Sequence, residues 1–337
     1  MKITTKILAL VCSVIFLFAH IIGSAQETTW SERLGYPKGA KVVVFHVDDV
    51  GMSWESNRGA IESMTQGVAT SCSMMMPCPW IPGIFRYLKE HPETDAGLHL
   101  TLTSEWRDYR WKPVTDSKEV PGLIDPSGMM WKSVEEVAMH AKADEVEKEI
   151  RSQIEFSLKL GFRPTHLDSH MGTLFATPAF IQRYVKVGIE YKIPVMFPGG
   201  HNTLIADQMR STAADRQMAI GIGKMLWDAG LPVIDDLHNT SYDMVLPKGT
   251  QPTTENLRKH KTEFYKQALR DIRPGITYVI MHCNRPSQHF ENISDSKLIR
   301  EADFLAMTDP ELRAFIQQEG VILTTMRELM KRRQEVK

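Results

Sequence analysis

Short apolar runs rich in Val, Ile and Met alternate along this 337-residue chain with longer stretches whose apolar positions recur every three or four residues. The runs "KVVVFHV", "VATSCSMMM", "DAGLHLTL", "PTHLDSH", "IPVMF", "LPVID", "GITYVIMH" and "GVILTT" read as strands by length and composition. Between them lie amphipathic helical patterns such as "ADEVEKEIRSQIEFSLKLG", closed by Gly161, and "TTENLRKHKTEFYKQALRDI", stopped by Pro274. No repeat, low-complexity tract or long Pro/Gly/Ser linker divides them. Seven or eight strands alternating with helices predict an α/β fold on a parallel sheet, either doubly wound or closed. A glycine-rich dinucleotide fingerprint would mark the doubly wound form, but "DDVGMSWES" follows the first strand. The expectation is a deformed (β/α) barrel, TIM-barrel-like, with seven or eight parallel strands.

The first 25 residues stand outside this alternation. Lys2 and Lys6 precede the apolar stretch "ILALVCSVIFLFAHII", and Gly23 and Ala25 supply small residues ahead of Gln26. This is the pattern of a secretory signal peptide. It predicts residues 1–25 as the leader, residues 26–337 as a single domain, and a secreted or periplasmic protein with no stable membrane anchor after cleavage. Removing the two lysines Lys2 and Lys6 takes the formal charge from −1 to −3. With no basic excess, the chain lacks the electrostatic footprint of a nucleic-acid partner. Cys72, Cys78 and Cys283 remain, an odd number that argues against a disulfide framework.

A parallel barrel gathers its functional side chains at the carboxyl ends of the strands. His46, Asp48 and Asp49 end the first apolar run, His99 lies near the end of "DAGLHLTL", and His166, Asp168 and His170 end "PTHLDSH". His282 ends "GITYVIMH". Residues two apart on a strand share a face, which groups His166, Asp168 and His170, and likewise His46 with Asp48. Asp49 joins that pocket only if the strand has already turned, a turn that Gly51 would permit. Carboxylates at a buried strand end need a partner or lose their charge. Two histidines and one carboxylate with open positions form a hydrolytic divalent-metal site. A second carboxylate then serves as general base and a further histidine as acid. Mixed nitrogen and oxygen ligands suit one zinc ion, with magnesium, manganese and cobalt as alternatives.

"HVDDVGMS", "AGLHLTLT" and "HLDSHMG" resemble, in order and spacing, the three motifs of the YdjC-type carbohydrate deacetylases, which are similar in mechanism to polysaccharide deacetylases. The resemblance extends through "PGLIDPSGMMW", "MHCNRP" and "LRAFIQQEGVILTTMREL". It implies a deformed barrel that removes an N-acetyl group from a sugar with one divalent metal. Carried over by position, Asp49, His99 and His170 would hold the metal, and Asp48 would activate water. His282 would protonate the leaving amine or stabilise the oxyanion. Asp168 would orient a neighbouring histidine, and His46 and His166 are alternative ligands or supports. Two departures, "MGTLF" after His170 and "CNRP" after His282, alter the pocket wall, so a chitin-derived oligosaccharide is not assumed as substrate.

Candidate substrate contacts surround these motifs. Trp54 and Trp106 lie just past the first two and offer aromatic faces to a sugar ring. Asp236 and His238, in "PVIDDLH", share a strand face and suit either sugar hydroxyls or a rival metal. Arg58 and Arg285 are the cations nearest the motifs, and Arg285 joins the candidate contacts. The expected activity is metal-dependent hydrolysis of an N-acetyl group from an amino-sugar carbohydrate. The alternatives are a metal-dependent phosphodiesterase or glycoside-bond hydrolase on the same barrel, and a catalytically inactive sugar-binding protein.

Overall fold

The computed structural model describes residues 28–336, so the expected leader, 1–25, lies outside the described residues. Strand β1 (Lys41–Val50) is buried from Val42 onward, as a strand covered on both faces of a parallel sheet must be. It lies at the centre of a sheet completed by β2 (Ser71–Met74), β3 (Ala96–Leu100), β4 (Leu167–Ser169), β5 (Asp236–His238), β6 (Gly275–Met281) and β7 (Ile322–Leu323). The order is β4-β3-β2-β1-β6-β5, every pairing is parallel, and β7 pairs with the start of β1. Because β6 runs along one edge of β1 and β2 begins pairing only at His46, β7 fills the first part of the other edge.

The curled sheet is closed by single bridges. Val195 pairs with Leu167 beside β4, and Pro198 pairs with Ile234 just before β5. Leu167 N–H donates to Pro194 O (2.8 Å), Met196 N–H to Leu167 O (2.7 Å) and Gly199 N–H to Ile234 O (3.1 Å). The runs "IPVMF" and "LPVID" therefore occupy barrel positions without forming full ladders. Pro194, Pro198 and Pro232 supply no N–H to a ladder, which is why these segments contribute only bridges. Seven ladder-forming strands among the described residues, with these bridged segments, make the expected deformed (β/α) barrel.

Helices cover the outside. Ala143–Lys159 stops ahead of Gly161, whose φ is +80°, and Thr254–Asp271 stops ahead of Pro274. The helix Trp54–Thr65 lies directly on the loop after β6: a Cβ on Gly59 would come within 2.2 Å of Cys283 O. No helix among the described residues is long and apolar enough to cross a membrane. Cys72, Cys78 and Cys283 are all free and buried, and burial holds each thiol above its ordinary pKa.

Candidate metal centre

The acids that end β1 both reach the barrel mouth because the strand is irregular there. Val47 is opposite Cys72 and Val50 is opposite Met74, so β1 carries one residue more than β2 across this step. The extra residue is accommodated at Asp49, whose φ is +61°. Asp tolerates the left-handed region better than most residues, yet the conformation still costs on the order of 1 kcal/mol. The result is that Asp48 and Asp49, adjacent in sequence, point into one site instead of to opposite faces.

Asp49 sits between two imidazoles. Its Oδ1 is 3.3 Å from His99 Nε2 and 3.1 Å from His170 Nδ1, and it is buried without a well-directed hydrogen bond to either. One ligand atom from each residue converges with the other two to within 4.8 Å. Each imidazole is held from behind by a carboxylate. Asp168 Oδ1 lies 2.7 Å from His99 Nδ1, and both Glu105 oxygens lie 3.1 Å from His170 Nε2. This is how a protein fixes the tautomer of a ligand histidine and aims its free lone pair. The donor set and the orphaned Asp49 oxygen fit a small divalent cation.

The electrostatics agree. Burial opposes charge on His170, but Glu105 and then Asp49 outweigh it and push its pKa up to about 9. Burial likewise opposes charge on His99, but Asp48 and Asp168 hold it well above the ordinary imidazole value. Asp49 is kept well below the carboxylate range: burial is overcome first by Arg300, whose Nη1 lies 2.7 Å from Asp49 Oδ2. Arg300 comes from the helix Lys297–Met307 and is walled by Trp106, Tyr242 and Phe290.

Beneath this triad lies a buried hydrogen-bonded layer. His46 Nδ1 meets Ser71 Oγ at 3.0 Å, and its Nε2 lies 2.9 Å from Ser73 Oγ, 2.9 Å from Asp168 Oδ2 and 3.1 Å from Asp48 Oδ1. His166 instead meets Thr165 Oγ1 (2.9 Å) and Tyr278 OH (3.3 Å). Burial and the neighbouring His46 charge hold the pKa of His166 down, at about 4. Of the two, His170 reaches Asp49, while His166 packs under Gly97 and forms with His46 and Asp168 a second group that could hold a metal ion. His170 gets there because β4 ends at Ser169 and the chain turns through positive φ at Met171 and Gly172.

Asp48 faces the open side. Its Oδ2 is 3.8 Å from His99 Nε2 and 4.0 Å from His282 Nε2. His282 follows β6 directly, with Ser241 Oγ 3.4 Å from its Nδ1 and the Tyr242 ring at 4.6 Å. Burial and then Arg300 hold its pKa well below the ordinary value, so it is neutral.

The expected substrate contacts fare unevenly. Trp54 stays 43 % exposed at the start of its helix. Trp106 is buried against Trp111 and Arg300, and forms wall instead of an open stacking face. Asp236 is corrected outright: it is fully buried and caps the helix Thr203–Met209, accepting from Leu204 N–H (2.9 Å) and Ile205 N–H (3.3 Å). His238 is also buried, beside Thr240 and Phe264, away from any metal-holding group. Arg285 is bound to Glu62, which Arg58 also grips.

A parallel α/β barrel with an Asp–His–His cluster at its strand ends defines the class. The YdjC-like protein family model matches residues 42–318, and the chain belongs to that family. It is 29% identical over 287 residues to a carbohydrate deacetylase of Thermus thermophilus, covering 85% of this chain and 93% of the relative. A carbohydrate deacetylase of Thermoanaerobacter pseudethanolicus is 25% identical over 284 residues, covering 84% of this chain and 97% of that one. In fold, the chain is similar to a crystal structure from Enterococcus faecalis V583 assigned provisionally to cellobiose-phosphate cleavage. That match has a TM-score of 0.68 at 20% identity and covers 86% of this chain and 99% of that one.

Proposed function

We propose that this chain is a metal-dependent carbohydrate N-deacetylase that acts outside the cytoplasm, releasing acetate from an N-acetylated amino sugar. The observation that carries the reading is the convergence of Asp49 Oδ1, His99 Nε2 and His170 Nδ1, with Asp168 and Glu105 behind the two imidazoles. Similarity over 84–85% of this chain to proteins named carbohydrate deacetylase supports the substrate class. Asp49, His99 and His170 would hold one divalent ion, zinc being best suited to two imidazoles and a carboxylate. Such an ion polarises the acetamide carbonyl and acidifies a water.

The remaining work falls to the chain itself. Asp48, steadied by His46 at 3.1 Å, takes the proton of the attacking water through the oxygen that faces the open site. The acetamide carbon becomes tetrahedral, and its C–N bond breaks as the nitrogen gains a proton. His282 is neutral at rest, so the proton for the amine originates at Asp48. It passes through His282 Nε2, 4.0 Å from Asp48 Oδ2 in the resting geometry. Against a phosphodiester reading, the cations near the motifs among the described residues are already paired, Arg58 and Arg285 with Glu62 and Arg300 with Asp49.

The test is acetate release from a panel of N-acetylated sugars by metal-stripped protein with divalent ions added back, beside Asp48→Asn. Metal-dependent acetate from the wild type alone supports the reading. Metal binding without acetate across the panel refutes deacetylation, and a protein that binds no divalent ion refutes the site.

A further inference from the structure

Lys261 and Asp303 are both fully buried, and their partners are not the proposed ligands Asp49, His99 and His170. They form an ion pair, Lys261 Nζ to Asp303 Oδ1 at 3.0 Å, between the helices Thr254–Asp271 and Lys297–Met307. Taking two charges out of water is costly, and a well-packed apolar pair would join two helices as well or better. The pair therefore needs another reason to exist.

Its remaining bonds supply one. Asp303 Oδ2 accepts the backbone N–H of His282 at 2.9 Å, and Tyr265 OH donates to Asp303 Oδ1 at 2.5 Å. Lys261 Nζ donates to the backbone carbonyl of Ser241, whose Oγ lies 3.4 Å from His282 Nδ1. His282 lies one residue beyond the end of β6, whose last paired residue is Met281 opposite Val47. The β1–β6 pairing therefore stops just short of it. The buried pair grips it from two sides instead, at its own backbone and through the loop that meets its ring.

We infer that Lys261 and Asp303 are positioning residues that set the place and tautomer of His282 opposite Asp48. The helix turn that carries Asp303 also carries Arg300, so residues three apart reach the His282 backbone and the Asp49 carboxylate. One helical turn thus fixes both sides of the site relative to each other. The inference rests on the proposed role of His282, and its test has a readout that does not need turnover.

The variants are Lys261→Met and the milder Tyr265→Phe, which keeps the ring and removes one donor to Asp303. The first readout is the ¹⁵N spectrum of the histidine side chains, with the His282 signals assigned by His282→Ala. Wild type is expected to show one tautomer for His282. Lys261→Met is expected to show an averaged pair, and Tyr265→Phe a smaller shift the same way. The second readout is acetate release. Lys261→Met should lower kcat by about 10- to 100-fold, with KM and zinc affinity by calorimetry unchanged, and should cost nothing further in a His282→Ala background. Unchanged His282 signals in both variants overturn the inference, as does full additivity with His282→Ala. If Lys261→Met does not fold, Tyr265→Phe alone decides. If wild type releases no acetate while the tautomer shifts as expected, positioning stands and the deacetylase reading falls.

Discussion

Metal loading of this site should be a proton-exchange reaction, and its size follows from His170. In the metal-free protein that imidazole titrates at about 9, because Glu105 and Asp49 flank it on both nitrogens. At pH 7 it is therefore about 99% protonated. A cation binding to Nδ1 must displace that proton, which weakens apparent affinity about 100-fold at pH 7 relative to pH well above 9. His99, whose pKa is also raised, adds to the same trend. Calorimetry of zinc binding in two buffers of different ionisation enthalpy should count about one to two protons released at pH 7. Release should diminish above pH 9, and Glu105→Gln should lower it near pH 8. The stability of the metal-free protein runs the opposite way. The folded pKa of His170 exceeds its unfolded value of 6.5, so its contribution is complete below pH 6.5 and lost as pH rises through about 9. The loss is about 3 kcal/mol. Melting temperature should thus fall with pH in chelator and level off above about pH 6.5 in saturating zinc. PH-independent affinity with no proton release would refute both the ligand assignment and the protonated resting state.

Three further outcomes follow from named contacts. Asp48→Asn should lower acetate release about 1,000-fold while leaving zinc affinity nearly unchanged, since Asp49, His99 and His170 stay in place; an equal loss of zinc affinity would make Asp48 a ligand instead. Gly59→Ala should destabilise the fold by about 2–3 kcal/mol in urea, because the added methyl meets the Cys283 backbone carbonyl, which cannot rotate away. A variant of wild-type stability would show that the helix Trp54–Thr65 floats freely on that loop. His166 is buried neutral with its pKa lowered to about 4. Its contribution is present above pH 6.5 and is lost as pH falls through about 4, so wild type should lose about 3 kcal/mol more than His166→Gln over that range. Parallel acid-unfolding curves would sink that account.

The barrel was legible because strand and helix periods alternate from the first apolar run onward, and because the histidines and carboxylates fall toward the carboxyl ends of those runs. Face-sharing by twos correctly put His46 with Asp48 and His166 with Asp168. His170 reaches the same mouth from a turn after β4, and Asp236, offered to sugar hydroxyls or a rival metal, caps a helix instead. Strand periodicity assigns a face but not what covers it, and Asp236 faces the N-terminus of Thr203–Met209. Asp49 was the other hard case. Its arrival in the pocket needs an extra residue in β1 relative to β2, a feature of two strands in register that neither sequence carries alone. The glycine at 51 pointed to a turn, and positive φ falls on both Asp49 and Gly51.

The residues that escaped the sequence reading act from behind the first ring of ligands, and each breaks a local pattern. Ser71 and Ser73 alternate on the inward face of β2, where an apolar pair would be expected if the neighbour were not His46. Arg300 and Asp303 lie three apart on the buried stripe of a helix that is otherwise lined by Ala302, Leu305, Ala306 and Met307. A charged pair at that spacing cannot be a solvated face, because the stripe that holds it is the one the core needs. Read that way, "LIREADFLAM" announces that something charged waits opposite each of them. Arg300 meets the Asp49 carboxylate, and Asp303 meets Lys261 and the His282 backbone. Charges placed against the grain of a helix thus identify the supports of a site, just as charges at the end of a buried strand identify its ligands.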